Sequence, residues 1–372
     1  MRRILVIALA LLLVPALALS EEMREAFNVE AKGAILIEAQ SGRVLYEQNA
    51  DEMLPMASTT KIMTCLLALE HSSLGEAVTA SANAYGTAGT SIYLSEGETL
   101  TMEQMLYGLM LRSGNDAAVA IAEHVAGSVD AFAALMNERA SGLGVDAHFV
   151  NPHGLDAQGH AASARAMALI MREALKNEEF VRIASTQKKI IPWPGNEYSR
   201  VLQNKNRLLT SYEGALAGKT GYTDKAGRCL VFSAERNGMV LVGAVLNCPT
   251  WFDTAEKLLD YGYENYDMEE FYEAGQVVHT VDVAGGQSRT VDLVAASALD
   301  FPLKTGENYE IGLQVPDSVS APVKKGGVAG RAVVYIDGVE IASVDLLYAK
   351  DVPMNNLEAA IHRLLDAWVL LF

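Results

Sequence analysis

The chain has 372 residues and a formal net charge of −17 at neutral pH, because 46 acidic residues outnumber 29 lysines and arginines. This length is sufficient for two domains. An acidic chain repels phosphate backbones, so the composition argues against nucleic-acid binding. The chain contains only three cysteines, an odd number. We expect Cys65 in the core. Cys229 and Cys248 fall at diagonal, not directly opposed, positions across a predicted hairpin, and this placement does not favour a disulfide.

The N-terminus has the features of a secretory signal peptide. Arg2 and Arg3 precede an apolar run that extends to Leu19, and the small residues Ala18 and Ser20 suit cleavage there. The run is short for a membrane span. Removal of residues 1–20 takes away two arginines and no acid, which changes the net charge from −17 to −19. We therefore expect an exported protein.

The segment Ser58-Thr59-Thr60-Lys61 precedes an apolar run from Ile62 to Leu69 that predicts a buried helix. We expect Ser58 at the helix start as an N-cap, with Lys61 beside it because positions three apart share a face. A lysine with a lowered pKa can take the proton of a serine nucleophile, and free N–H groups at a helix start suit an oxyanion. Taken alone, the segment is explained more simply by a capped core helix with a snorkelling lysine.

A second segment, Ser113-Gly114-Asn115, forms a tight connection between an apolar run ending at Arg112 and a helical pattern beginning at Asp116. The glycine permits an unusual backbone there, so both polar side chains can point into one cleft. Ser113 could then relay a proton and Asn115 could bind a substrate amide. The alternative is an ordinary turn with a polar cap on the next helix.

The third segment is Lys219-Thr220-Gly221-Tyr222, which small residues precede. Asn237-Gly238, between two apolar runs that follow, predicts a hairpin. We therefore expect Lys219 on or beside an antiparallel strand, as a fixed cation for a substrate carboxylate that also lowers the pKa of Lys61. Thr220 adds a hydroxyl donor.

The same tripeptide occurs again at Lys304-Thr305-Gly306, without small residues before it or a hairpin directly after it. We interpret this second copy as a surface turn. The pattern after residue 274 changes to short alternating segments, which predict a small all-β domain over 274–350. Apolar side chains between Leu357 and Phe372 fall on one face of a predicted helix within 351–372, and a helix docked on the β domain is one explanation.

We predict neither a cofactor nor a metal ion. None of the seven histidines belongs to a His-Glu-x-x-His pattern, and no cysteine pair has zinc-site spacing. Both observations argue against a zinc carboxypeptidase. We expect His153 to make a contact within its loop rather than to bind a ligand.

In this order, the three segments resemble the motifs of the penicillin-recognising serine enzymes, most closely the low-molecular-weight D-alanyl-D-alanine carboxypeptidases. Residues 149–155 and 257–263 and the opening hairpin from Ala34 to Tyr46 are also similar, so the resemblance covers about residues 25 to 350. It implies an α+β fold. The expected catalytic domain, over 21–273, is β-lactamase/transpeptidase-like with an antiparallel sheet flanked by helices, and an accessory all-β domain follows it.

The resemblance also implies roles for the residues that match the motifs. The catalytic set would be Ser58 as nucleophile, Lys61 as base and Ser113 as proton relay. The substrate-binding set would hold a peptidoglycan stem peptide ending in D-Ala-D-Ala, with β-lactams as inhibitors, and would comprise Asn115, Lys219, Thr220, Gly221 and Tyr222. Backbone N–H groups of Ser58 and Tyr222 would form the oxyanion hole. The terminal helix would be an interfacial membrane anchor, a role that Trp368 suits.

Two positions depart from the family pattern. Ala166 follows Arg165 where many members have aspartate, and Trp251 stands where an arginine is often seen, which leaves more of the carboxylate binding to Lys219. Three alternatives stay open: a D,D-endopeptidase with the same motifs, a β-lactamase, and a non-catalytic penicillin-binding wall protein. The β-lactamase alternative lacks a matching glutamate-containing loop between the second and third motifs.

Overall fold

The computed structural model describes residues 28–355 and residue 361. The predicted signal peptide, 1–20, lies outside the described residues, as does nearly all of the predicted terminal helix. Residues 351–355 are described and are extended rather than helical, because Val352 pairs with Val323 and Met354 pairs with Gly286. These five residues therefore do not belong to the predicted helix. Within the described ranges, no single helix has the length and apolarity needed to cross a membrane.

The described residues divide into two compact units. The first contains residues 28–36, 46–233 and 242–258, and the second contains 37–45, 234–241 and 259–355. All eight predicted site residues belong to the first unit.

A five-stranded sheet with the order β2-β1-β11-β10-β9 supports the predicted site. Its strands are β1 Gly33–Glu38, β2 Val44–Gln48, β9 Ala215–Thr223, β10 Gly227–Arg236 and β11 Met239–Leu246. The turn between β10 and β11 contains Asn237 and Gly238, both with positive φ, so the predicted hairpin is confirmed. The opening hairpin across Ser41 and Gly42 is confirmed as well.

Helices make up much of the first unit. In chain order they are α1 Lys61–His71, α2 Ala82–Tyr85, α3 Met102–Leu111, α4 Asn115–Ala126, α5 Val129–Gly142, α6 Ala164–Ala174, α7 Glu178–Ala184, α8 Leu208–Ser211 and α9 Trp251–Asn265, the last of which extends into the second unit. Helix α1 is central, because it packs against α3, α4, α5, α6 and α7. Every residue from Lys61 to Ala68 is buried, which explains the continuous apolar run and confirms the predicted core helix.

Three short two-stranded antiparallel sheets also belong to the first unit. They are β3 Ala77–Thr79 with β4 Thr99–Thr101, β5 Ala147–His148 with β6 Ala161–Ala162, and β7 Lys188–Ile191 with β8 Arg200–Gln203. Arg200 on β8 is buried and forms an ion pair with Glu98, 2.5 Å away. This pair fixes β8 to the segment that follows residue 94.

The second unit contains a six-stranded sheet with the order β16-β18-β19-β14-β13-β17 and a two-stranded sheet of β12 and β15. The strands are β12 Tyr266–Tyr272, β13 Val277–Ala284, β14 Thr290–Ala295, β15 Leu299–Lys304, β16 Glu310–Gln314, β17 Ser318–Ser320, β18 Val328–Ile336 and β19 Val339–Tyr348. Alternate residues, such as Val281, Val291 and Leu293, form its apolar core. The all-β character predicted for this region is confirmed, although its first strand, β12, begins at Tyr266 in a charged stretch without alternation.

The cysteines contribute to packing. Cys65, Cys229 and Cys248 are free and buried, and burial raises the pKa of the Cys65 and Cys229 thiols. The second Lys-Thr-Gly tripeptide ends β15 and continues into a turn, as predicted.

Candidate active site

Ser58 lies in a 3₁₀ turn, Ala57–Thr60, that leads directly into α1. The prediction that Ser58 caps the helix is wrong, because neither the turn nor α1 has a side-chain cap. Ala57, immediately before it, has φ +48°, a left-handed conformation that is unfavourable for alanine. The turn therefore places Ser58 through its own backbone shape instead of through a capping bond.

Lys61 begins α1 and is fully buried. Its Nζ lies 2.9 Å from Ser58 Oγ, 2.7 Å from Asn115 Oδ1 and 2.5 Å from the carbonyl oxygen of His153. Burial lowers the pKa of Lys61 well below its ordinary value, and the positive charges of Lys219 and Lys205 lower it further. A buried lysine of this kind can exist as a neutral amine beside a hydroxyl.

Ser113 and Asn115 occupy the connection between α3 and α4. Ser113 has φ +62°, which turns the chain sharply between the two helices, and Asn115 is the first residue of α4. Asn115 Nδ2 donates to the Ala88 carbonyl at 2.7 Å, so the amide oxygen is directed to Lys61. Both side chains are buried beside the first motif, and Asp116 fixes the preceding loop by accepting from the backbone N–H of Leu94.

The third motif lies on β9, at one edge of the five-stranded sheet. Lys219 is buried, and its Nζ donates to Ser113 Oγ at 3.0 Å and to the Thr220 carbonyl at 2.7 Å. Burial and the nearby charge of Lys205 lower the pKa of Lys219 to about 7. A Cβ built on Gly221 would lie 2.8 Å from the Ser58 backbone nitrogen, so only glycine leaves that N–H accessible. Tyr222 is exposed.

A cavity of about 350 Å³ joins the three motifs. Its lining residues are Ser58, Gly89, Thr90, Ser113, Asn115, Leu155, Lys205, Thr220, Gly221, Tyr222, Thr223 and Trp251. Six predicted site residues therefore face one cavity, while the other two, Lys61 and Lys219, are buried directly behind its wall. All lie in the first compact unit.

Sequence reasoning missed several lining residues, of which Lys205 matters most. It follows β8 as an exposed side chain, and no motif or periodicity distinguishes it from other surface lysines. Trp251 departs from the arginine often seen in the family pattern, and it contributes an aromatic wall to the cavity. Leu155 and Thr90 come from loops whose approach depends on tertiary packing.

His153, which lies near the site, makes a hydrogen bond within its own loop. His153 Nδ1 accepts from the backbone N–H of Leu155, which is the loop contact expected from the sequence, and burial lowers the pKa of His153 to about 3. Among residues 28–355, no group of three histidine, cysteine, aspartate or glutamate side chains is arranged to hold a metal ion.

The fold and the cavity together define a serine-type hydrolase. Residues 20–250 match the family model described as D-alanyl-D-alanine carboxypeptidase, and residues 266–354 match the model for the C-terminal domain of penicillin-binding protein 5. The chain belongs to the D-alanyl-D-alanine carboxypeptidase family. The predicted fold class and the predicted enzyme class are thereby confirmed.

Individual relatives agree with the family assignment. D-alanyl-D-alanine carboxypeptidase DacF of Bacillus subtilis (strain 168) is 34% identical over 351 residues, which cover 91% of this chain and 90% of the relative. DacC of Escherichia coli (strain K12) is 32% identical over 365 residues, covering 93% and 90%. The crystal structure of penicillin binding protein 5 from Haemophilus influenzae matches with a TM-score of 0.76 at 29% identity, over 88% of this chain and 98% of that one.

Proposed function

We propose that this enzyme removes the terminal D-alanine from peptidoglycan stem peptides through an acyl-enzyme on Ser58. The observation that carries the proposal is the 2.9 Å separation of Lys61 Nζ and Ser58 Oγ at the wall of a cavity large enough for a dipeptide end. A serine next to a base of lowered pKa is the arrangement that nucleophilic catalysis requires. β-Lactams would acylate the same hydroxyl.

Lys61 would act as the base in its neutral form. A neutral amine has two N–H groups and one lone pair. Asn115 Oδ1 and the His153 carbonyl can only accept, so they take the two N–H groups and leave the lone pair for the Ser58 hydroxyl. Ser58 Oγ would then bond to the carbonyl carbon of the penultimate D-alanine while its proton passes to Lys61.

Ser113 would complete the proton transfer. Collapse of the tetrahedral intermediate breaks the bond to the terminal D-alanine, whose amine takes the proton that Lys61 received from Ser58, passed on through Ser113. Ser113 Oγ receives a hydrogen bond from Lys219, so its own hydrogen stays available to the leaving amine. Water would then cleave the acyl-enzyme. The oxyanion would accept from the backbone N–H groups of Ser58 and Tyr222, and Gly221 leaves room for it.

The terminal carboxylate of the substrate would be held by Lys219 and Thr220, as inferred from the sequence, and also by Lys205. The pKa of Lys219 is lowered to about 7, so this buried amine is only partly charged at neutral pH. Lys205 lines the same cavity, and among the described residues no carboxylate forms a salt bridge with its ammonium. Burial and the charge of Arg112 lower the pKa of Lys205 as well, and its ammonium would take part of the role of the arginine that the family pattern often has at Trp251.

Substrate pairs can separate these anchors from the chemistry. Lys219→Ala and Lys205→Met should reduce kcat/KM more for a peptide with a free C-terminal carboxylate than for the same peptide amidated. Lys188→Met, which removes an exposed lysine on β7, is the control and should leave both values unchanged. Equal losses on the two peptides would contradict the anchor roles.

We also propose export and membrane attachment from the sequence. Residues 1–20 would be the signal peptide, and the amphipathic stretch between residues 355 and 372 would anchor the protein on the outer face of the cytoplasmic membrane. Its polar face is not basic, so apolar burial, including Trp368, would supply the attachment. Deletion of that stretch should release active enzyme from membranes, and continued membrane association would point to another tether.

Product identification tests the function. The full-length enzyme should release free D-alanine from a diacyl D-Ala-D-Ala peptide, whereas Ser58→Ala should release none. Rapid appearance of opened penicillin without D-alanine would indicate a β-lactamase. Cleavage restricted to cross-linked dimers would indicate an endopeptidase, and a stable penicillin adduct without peptide cleavage would indicate a binding protein.

A further inference from the structure

His160 lies behind the turn that presents Ser58 and has no role in the chemistry proposed above. Its side chain is 5% exposed. Ring Nδ1 accepts a hydrogen bond from the backbone N–H of Val150 at 2.9 Å, and ring Nε2 lies 2.9 Å from Thr60 Oγ1. Since Nδ1 accepts, the neutral ring carries its hydrogen on Nε2 and donates it to Thr60.

The groups around the imidazole favour this neutral form. Burial, with smaller contributions from the charges of His148 and Lys61, lowers the pKa of His160 to about 4. The neighbouring His153 also has a lowered pKa, to about 3. At neutral pH the ring therefore has one acceptor and one donor, and each has a partner.

Thr60 extends the chain of hydrogen bonds to Ala57, the strained residue that precedes Ser58. Having accepted from His160, Thr60 Oγ1 donates to the Ala57 carbonyl at 2.8 Å. Ala57 has φ +48°, and a conformation of this kind persists only where its surroundings hold it. Gly154 packs against the same carbonyl so closely that a Cβ there would lie 1.9 Å from Ala57 O. The hydroxyl and Gly154 thus fix the backbone that places Ser58.

The other ring nitrogen holds the segment that positions the base. Val150 opens the segment 150–155, in which Asn151 Oδ1 accepts from the Gly154 N–H at 2.7 Å. The His153 carbonyl of this segment accepts from Lys61 Nζ at 2.5 Å. One imidazole therefore connects the backbone before Ser58 with the backbone that orients Lys61.

We infer that His160 is a positioning residue for acylation, because its ring joins the Ser58 turn to the segment carrying the His153 carbonyl. Through this connection it holds Ser58 Oγ and Lys61 Nζ in the relative positions that proton transfer requires. This inference rests on the proposed function of Ser58 and Lys61. A small displacement of reacting atoms costs up to about a hundredfold in rate, so loss of the connection should be visible in the acylation step.

The test measures the second-order rate constant for acylation of the full-length protein by benzylpenicillin. His160→Phe retains a ring of similar size without either hydrogen bond, and Thr60→Val removes the connecting hydroxyl. Each should slow acylation by about tenfold or more. His160→Gln retains a donor towards Thr60 and should restore the rate to within about threefold of the wild-type enzyme. The His160→Phe/Thr60→Val double variant should be no slower than its slower parent, because both changes interrupt one chain.

Thr254→Val is the matched control. It removes a buried hydroxyl that contacts Cys248 and Thr250, away from this network, and should acylate at the wild-type rate. A wild-type rate in His160→Phe, or losses that multiply in the double variant, would overturn the inference. If His160→Phe does not fold, Thr60→Val decides: a tenfold loss supports the inference and a wild-type rate contradicts it. Failure of the proposed function looks different, since the wild-type protein itself would then not be acylated at Ser58.

Discussion

Two copies of the tripeptide Lys-Thr-Gly occur in this chain, in opposite surroundings. Lys219 is buried on β9 and donates to Ser113 Oγ, whereas Lys304 is exposed at the end of β15. Gly221 lies in an extended strand against the Ser58 backbone, whereas Gly306 has φ +80° in an open turn. The second copy lies in the second compact unit, and the residues that line the cavity do not include it.

The comparison shows that the structural surroundings of the tripeptide, and not its sequence alone, determine whether its lysine lies beside the cavity. Gly221 lets β9 pack against the Ser58 turn, and the hairpin that follows β9 places Lys219 in the sheet. Lys304 lacks both features. Paired substitutions at the two copies therefore separate the effect of a residue type from the effect of its position.

The largest expected difference is between Lys219→Ala and Lys304→Ala. The first removes the hydrogen-bond partner of Ser113 and one proposed carboxylate anchor, and should slow acylation by benzylpenicillin by about 10³-fold, within the range for losing a proton-transfer arrangement. The second should leave the rate unchanged. Comparable rates for the two variants would remove the distinction between the copies.

Gly221→Ala should slow acylation by about 10²-fold, as does loss of one oxyanion donor, because the new methyl group would occupy the space 2.8 Å from the Ser58 nitrogen. The measurement is the pre-steady-state acylation rate, with thermal unfolding followed in parallel. A normal rate in a folded variant would show that the oxyanion does not lie there.

The pH dependence of activity should change by a smaller amount, in a direction that follows from the charges around the two buried lysines. The proposed mechanism needs Lys61 neutral and Lys219 charged, so activity should fall at low pH as Lys61 gains a proton and at high pH as Lys219 loses one. The charge of Lys205 lowers the pKa of both lysines, so Lys205→Met should raise both pKa values. Both limbs of the rate profile should therefore move to higher pH, by less than about one unit.

Lys304→Met serves as the control for this profile and should reproduce the wild-type curve. Limbs that stay in place in Lys205→Met, or that move in opposite directions, would show that Lys205 does not act on the two buried amines together.

The smallest effect belongs to Gly306→Ala. Alanine in a left-handed conformation costs about 1 kcal/mol, so the free energy of unfolding should fall slightly while acylation stays normal. Thermal unfolding and the acylation rate provide the two readouts. Reduced acylation in this variant would connect the second tripeptide with the site.

Much of this arrangement could be predicted from the sequence. The helix after Ser58 and the hairpin at Asn237 both follow from local pattern, since apolar runs and turn residues act over a few positions. The eight predicted site residues could be selected because three motifs in a fixed order are far more specific than any one of them.

What could not be predicted depends on long-range packing. Lys205 comes from a loop with no motif, and its place at the cavity results from the path of the chain after β8. The His160 network joins residues 100 positions apart, and a lone histidine in a sequence gives no sign of its partners. The 3₁₀ turn at Ser58 was mistaken for a helix cap because the strain at Ala57 is a tertiary effect.

The central claim is that a hydroxyl, a neutral amine and a buried second lysine meet at one cavity, with Ser58 as the acylated group. Proteolytic mapping of the full-length protein after a short exposure to benzylpenicillin addresses it directly. We predict that the added mass is confined to the peptide containing Ser58 and is absent from Ser58→Ala. An adduct on any other residue, or equal adduct formation in Ser58→Ala, would contradict the account.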